Sequence, residues 1–378
     1  MKLNFILLVV VLISTLFTGL PAFAWGERGH HSICEVATRL VTNPDLSDYL
    51  RGRLHLMGHA CNIPDIYWRD LGPVAKSGDA THFMNPENLG YTIDTVPTDL
   101  SQIKKDKEGK YSDLLKRNIN VLEDLGSSWW RYDEFYRLAV NEGKMAKTLE
   151  ADAATPAPKG QSTTPAKDKY SQAIFRMMTN MGLMGHFVGD ASQPFHNTTD
   201  YDGWNVQHGG IHAFYETAVV AEIELALPAR IYTEAMNIRN GKEGLTAGLS
   251  PLDTIREVAL KTMGDRSQII KLDPITQPSE LKPNPDGTVT KIYAKRKSPA
   301  EAVSLFEGLI THEMALSALA LAQAWDQIYA ESDHPNFRWY NTYAYPLKPD
   351  FVAPDYADNR SPSAVPAKKS KHRKKRKQ

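Results

Sequence analysis

The chain has 378 residues, 42% of them hydrophobic, enough for one large core, and its 44 Lys/Arg balance 44 Asp/Glu. That balance hides an asymmetry. Without Lys2 and the eight Lys/Arg between Lys368 and Lys377, the body Trp25–Ala367 carries 35 basic against 44 acidic residues. This excludes a protein that holds nucleic acid by long-range attraction, so any phosphate affinity needs a local source such as bound cations.

In chain order, Met1-Lys2 is a short positive region, Phe5–Leu20 an apolar run and Pro21-Ala22-Phe23-Ala24 a small-residue cleavage signal. Together, residues 1–24 have the form of a removable signal peptide, so the mature protein is expected to be secreted or periplasmic and to begin at Trp25 after cleavage at Ala24-Trp25. No later stretch is expected to cross a bilayer. Cys34 and Cys61 are either one disulfide, tying the first helix to the loop before Asp65, or two buried thiols.

Helices are expected over Gly29–Val41, Tyr111–Leu125, Trp129–Val140, Tyr170–Gly189, Ile211–Leu227, Pro251–Met263 and Pro299–Tyr329. Ala151–Lys169, rich in Pro, Ala, Thr and Lys without an apolar period, is expected to be a flexible surface insertion. Gln277–Ser298 is polar and carries the turn signal Pro285-Asp286-Gly287, with room for a short hairpin. The expected fold is mainly α: a single helical domain over 25–345 and an extended tail over 346–378. The tail ends in a disordered basic run able to touch an anionic surface.

Chemistry concentrates between Met181 and Val219. His186 and Asp190 stand four apart on a helical pattern, so their side chains share one face. Pro194 breaks the pattern, His196 follows, and after a Gly-rich loop His212 and Glu216 repeat the four-residue spacing. One such pair is usually a surface pair. Two pairs and a third imidazole among Met184, Phe187, Val188, Phe195, Ile211 and Phe214 are costly to bury, and a borderline cation such as zinc removes that cost. Upstream, His30, Asp65 and His82 each offer a further donor, the last two in expected loops.

In this order the residues resemble the secreted trinuclear-zinc superfamily that contains the single-strand-specific nucleases S-one and P-one and the bacterial zinc-dependent phospholipases C. The family series is filled here by Trp25, His30, Asp65, His82, His186, Asp190, His196, His212 and Glu216, and Trp25 directly follows the expected cleavage point. The resemblance covers roughly Trp25 to Val220 by motif. It implies a single helical zinc-hydrolase domain with three Zn2+ ions. One would take Asp65, His82, His186 and Asp190; a second the amine and carbonyl of Trp25 with His30 and a shared Asp190; the third His196, His212 and Glu216. It also implies phosphodiester hydrolysis, with Asp65 expected to orient the attacking water or to serve purely as a ligand.

Around these ligands the substrate signals diverge. Glu216 is the phospholipase choice, but the choline pocket does not carry over, since its positions fall on Arg28, Ile66 and Asp79. Phe83 matches the aromatic on which the nucleases stack a base, and Asn85 replaces the usual Asp that reads the base edge. The expected phosphate-binding Arg falls on Trp68, with Arg69 one place on, and Gly203-Trp204-Asn205 lies where the nucleases carry Gly-Gly-Asn. Phe83 and Trp68 are equally well explained as core aromatics. The resemblance therefore implies a secreted zinc-dependent phosphodiesterase acting on single-stranded DNA or RNA, with Phe83, Asn85, Arg69 and Asn205 as substrate contacts. The alternatives are a zinc-dependent phospholipase C that takes a phospholipid headgroup, and a non-catalytic metal-stabilised surface or lipid-binding protein.

Overall fold

A helix segment buried on every side has to be central, and Pro165–Ser192 contains such a segment, buried without interruption from Met177 to Ser192. The computed structural model describes residues 25–74, 76–106, 121–159, 164–223, 225–241, 244–340 and 350–354. Among these the helices are α1 Gly26–Leu40, α2 Pro44–Arg51, α3 Leu54–Ile63, α4 Leu100–Asp106, α5 Val121–Leu125, α6 Ser128–Ala153, α7 Pro165–Ser192, α8 Leu227–Asn240, α9 Pro251–Met263, α10 Arg266–Leu272 and α11 Pro299–Glu331. The fold is mainly α, as expected, and its buried apolar residues form one core cluster.

Central α7 is surrounded by α1, α3, α6, α9 and α11. Local sequence sets where several of these begin. Asn43, Thr164, Ser250 and Ser298 each precede a proline and accept a backbone N–H of the first turn, and Ser298 completes a capping box with Glu301. Cys34 and Cys61 are joined as a disulfide that ties α1 to α3.

Several boundaries differ from expectation. Helix α6 runs on to Ala153 and α7 starts at Pro165, so both ends of the expected insertion 151–169 are helical; the connection is 154–164, of which 160–163 lie outside the described residues. Of the expected helix Tyr111–Leu125 only Val121–Leu125 is described. The expected Ile211–Leu227 helix is a short turn Ile211–Ala213, a π turn Phe214–Val219 and a last turn Val220–Glu222, followed by the unexpected α8. Pro64 does not open a loop: α3 passes into a π turn Pro64–Trp68, where the missing proline N–H falls at a change of winding.

Contrary to the expectation that no stretch after the leader is so apolar, α11 is long and apolar enough to cross a membrane. Its most apolar window is 72% buried against the rest of the protein, which accounts for that composition as core packing. The hairpin is present: β2 Glu280–Pro283 pairs with β3 Val289–Ile292, and β1 Ile275–Gln277 with β4 Lys295–Arg296 at its base. Of the tail, residues 350–354 are described, and there Phe351 packs edge-on against Trp68 at 5.5 Å. The leader 1–24, the domain boundary near 345 and the basic run 368–377 lie outside the described residues.

Candidate metal centre

Five side chains from four segments converge beside the last two turns of α7. His30 comes from α1, Asp65 from the π turn after α3, His82 from the end of a tight turn Lys76–His82, and His186 and Asp190 from α7 itself. Asp190 stands between the others. Its Oδ1 is 3.3 Å from His30 Nε2, while its Oδ2 is 3.0 Å from His82 Nδ1 and 3.4 Å from His186 Nε2. Asp65 Oδ1 lies 3.7 Å from His186 Nε2 and 3.8 Å from His82 Nδ1.

The donor atoms of His30, His186 and Asp190 lie within 4.8 Å of one another, as do those of Asp65, His82 and His186. Thus His186 belongs to both groups, a sharing that the resemblance gives to Asp190 alone. A third group, His196, His212 and Glu216, meets the same criterion, with Glu216 Oε2 at 3.3 Å from His196 Nε2 and 2.9 Å from His212 Nε2. The two sets are linked through the chain: His196 Nδ1 donates to the His82 carbonyl at 2.5 Å, and Met84 N donates to the His196 carbonyl at 2.7 Å.

Supporting bonds fix how the donors point. A carbonyl only accepts, so the 2.9 Å contact of His186 Nδ1 with the Cys61 carbonyl places the proton on Nδ1 and leaves the Nε2 lone pair facing Asp65 and Asp190. His196 is set in the same way by the His82 carbonyl. Gly189 makes room for His30: a Cβ there would stand 2.7 Å from His30 Nδ1, so only a glycine lets α7 lie this close to the ring.

Charge is compensated differently in the two sets. Burial, reinforced by the neighbouring carboxylates, holds Asp190 well above the usual carboxylate range; burial also brings Asp65 up to about 7, despite Arg69 beside it. Burial and the cationic groups nearby push His82 and His186 well below the ordinary imidazole value. In the outer group, burial opposes ionisation of Glu216, but His212 and His196 outweigh it and bring the carboxyl down to about 2. His212 is in turn raised, since Glu216 and Asp202 overcome its burial. Asp65 Oδ2 and Glu216 Oε1 are buried and accept no hydrogen bond from the described residues. Buried carboxylate oxygens of that kind, grouped with imidazole nitrogens, are a donor set that a divalent cation takes up.

Trp25 is fully buried against α7, its indole N–H donating to the Gly189 carbonyl at 2.8 Å and to Ser192 Oγ at 3.0 Å. It therefore lies next to Asp190 in the fold. Of the expected substrate contacts, Arg69 reaches Asp65 Oδ1 at 2.9 Å with its side chain 30% exposed, at the edge of the inner groups. Phe83 and Asn85 are half-buried beside His82, and the Asn85 N–H is taken by the Leu125 carbonyl. Asn205 is exposed on the loop before His212. Trp68 is a core aromatic, packed on Phe135 and Phe351.

Sequence reasoning missed Gln193, whose amide donates to Glu216 Oε2 at 2.6 Å, and Asp202, which accepts from the His212 N–H at 3.3 Å. Neither stands at ligand spacing, so no local pattern marks them. Comparison of the chain with family models, with curated proteins and with solved structures finds no match.

Proposed function

We propose that this chain is a secreted zinc-dependent phosphodiesterase that hydrolyses single-stranded nucleic acid. The observation that carries the proposal is the position of Asp190, one carboxylate facing donors of both inner groups, with the Glu216 group joined to them through the His82 and His196 carbonyls. Side chains of His, Asp and Glu without a thiolate suit zinc and harder cations, and the family-ordered series beginning at Trp25 favours zinc. Removal of residues 1–24 would free the Trp25 amine as a further donor.

Zinc held by His30, His186 and Asp190, by Asp65 and His82, and by His196, His212 and Glu216 would acidify water at neutral pH and neutralise charge on phosphate oxygens. The chain's own groups orient the reactants. Asp65, with one oxygen held by Arg69 and the other buried without a hydrogen bond from the described residues, would accept a hydrogen bond from the attacking water or serve purely as a ligand. Arg69, anchored on Asp65 and partly exposed, meets a phosphate oxygen at the edge of the site. Phe83 offers a ring face, and Asn85 and Asn205 offer amides that read a base edge.

Glu216 in place of the nuclease Asp favours a second reading, a phospholipase C. Purified mature protein with zinc, offered single-stranded DNA, RNA and phosphatidylcholine side by side, is expected to cut the strands and to stop on addition of a chelator. Release of the lipid headgroup with the strands intact would replace the nuclease reading by the phospholipase one. No turnover of any substrate by metal-loaded protein would leave a metal-stabilised binding protein.

A further inference from the structure

The hairpin between α10 and α11 is locked to the loop that leads into His212. Asp273, a buried residue, accepts Arg296 Nε at 2.8 Å and Arg296 Nη2 at 2.9 Å, and its Oδ2 lies 2.8 Å from His208 Nδ1. The main chain adds Ser279 N to the Gln207 carbonyl at 2.9 Å and Ala294 N to the Gly209 carbonyl at 3.1 Å. A two-pronged guanidinium–carboxylate pair with its remaining polar groups satisfied fixes orientation. Residues 203–210 and the hairpin base therefore form one unit.

Aromatic side chains are seated on this joint. Trp204 lies against Gly209 and Tyr293 against Gly210, where a Cβ would come within 2.7 Å and 2.9 Å of the respective rings. The two rings meet edge to face at 5.0 Å, and Lys291 Nζ sits 5.1 Å from the Trp204 ring. The row reaches the metal centre through Asp202, which accepts the Trp204 indole N–H at 2.8 Å on one oxygen and the His212 N–H on the other. Tyr201 stands edge-on to His212 at 5.7 Å and is exposed.

The hairpin register extends this row outwards. Leu281 pairs with Lys291 and Pro283 with Val289, so the alternation of a strand puts Val289, Lys291 and Tyr293 on one face with Leu281 and Pro283. Tyr293 is 60% exposed, Val289 54% and Leu281 45%, which leaves an apolar face beside the candidate metal centre. Residues 275–298 carry five Lys/Arg against two Asp/Glu on a body that is otherwise acidic, a local match for a polyanion. The hairpin tip is polar, with Thr288 bonded to Asn284 and to Asp286, the wrong end for insertion into a lipid surface.

We propose that Tyr201 and Tyr293, the latter braced by Trp204, form with Lys291 an extended subsite on which unpaired bases flanking the cleaved linkage stack while Lys291 meets the backbone. The inference rests on the nuclease reading above and names how that site holds a longer strand. It predicts an affinity that grows with strand length, because each further stacked base adds binding.

The test uses fluorescence anisotropy on the metal-loaded mature chain with phosphorothioate-linked oligothymidylates of two and eight nucleotides, alongside a cleavage assay with ordinary DNA and sedimentation with phosphatidylcholine/phosphatidylserine vesicles. The octamer is expected to bind roughly tenfold or more tightly than the dimer, with Tyr293→Ala losing most of that gain and Tyr293→Phe restoring it. Lys291→Gln is expected to lower the salt dependence of octamer binding by about one counterion. Cleavage of DNA combined with octamer binding that is equal in wild type and Tyr293→Ala would remove the subsite and leave the nuclease reading standing. Neither cleavage nor binding of any strand would overturn both. Vesicle binding lost in Tyr293→Ala, with octamer binding unchanged, would reassign the face to a lipid surface.

Discussion

The inner donor groups around Asp190 and the outer group around Glu216 use the same residue types with opposite electrostatics. In the inner set two carboxyls are raised by burial while His82 and His186 are pushed to the neutral form, so without a cation Arg69 beside Asp65 offsets the two carboxyls only in part. In the outer set Glu216 is lowered and His212 raised, each by the other, and the group is closer to self-compensated. Its anchoring differs too. The inner set draws on α1, α7 and two turns around the core, whereas the outer set lies on one loop and the helical run after it. A buried charge deficit couples cation binding to folding, while a self-compensated group exchanges a cation with less consequence.

Chelation is the strongest way to break that comparison. Stripping all divalent cations is expected to lower the melting temperature by roughly 10 °C or more, since a tightly bound ion stabilises by about 3–4 kcal/mol at a hundred to a thousand times its dissociation constant. Limited chelator should remove the outer cation first with little change in melting, followed by the inner ones with the large drop. A single step, or loss of stability with the first ion, would erase the distinction between the sets.

A smaller effect sharpens the inner side. Gly189→Ala puts a methyl group against His30, at 2.7 Å before relaxation. The expected cost is about 1–3 kcal/mol of stability together with weakened binding at the His30 group and none at the Glu216 group. Metal titration of the variant checks this, and uniform weakening of all groups would contradict it.

The smallest effect concerns a carboxyl that belongs to neither set. Glu313, buried in α11, accepts the Tyr215 hydroxyl at 2.9 Å, and burial holds its pKa well above the usual value. A carboxyl raised on folding binds its proton more tightly in the native state, so it destabilises the fold as pH rises from its unfolded pKa towards its folded one. Glu313→Gln keeps the acceptor and removes the ionisation. It is expected to raise stability by about 1–2 kcal/mol at pH 7.5 and to leave it unchanged near pH 4. Thermal melts at the two pH values test this, and an equal shift at both would show that ionisation is not the cause.

What could be read from the sequence was what repeats at short range. The pairs His186/Asp190 and His212/Glu216, the helix starts at Pro251 and Pro299 and the Pro-Asp-Gly hairpin tip all express local rules, and α9 has the expected ends, whereas the starts at Pro44 and Pro165 were not read. Helix α8 was missed because its core face is narrow, carried by Leu227, Ile231, Ala235 and Ile238 among polar neighbours. The π turns that carry Asp65 and Glu216 have no sequence period of their own, so the first was expected as a loop and the second as ordinary helix. Gln193, Asp202 and the Cys61 carbonyl act through contacts set by tertiary packing, and any residue supplies a carbonyl. The state of the two cysteines likewise depends on how α1 meets α3.

The central claim is that one carboxylate, Asp190, serves two of the three cation groups. It is tested most directly by counting bound zinc by atomic emission in the mature wild-type protein and in Asp190→Asn after dialysis against buffer without metal. The account predicts three equivalents for the wild type, one for each donor group, and only the outer equivalent for the variant. An Asp190→Asn protein that is folded and retains the full wild-type complement would contradict it.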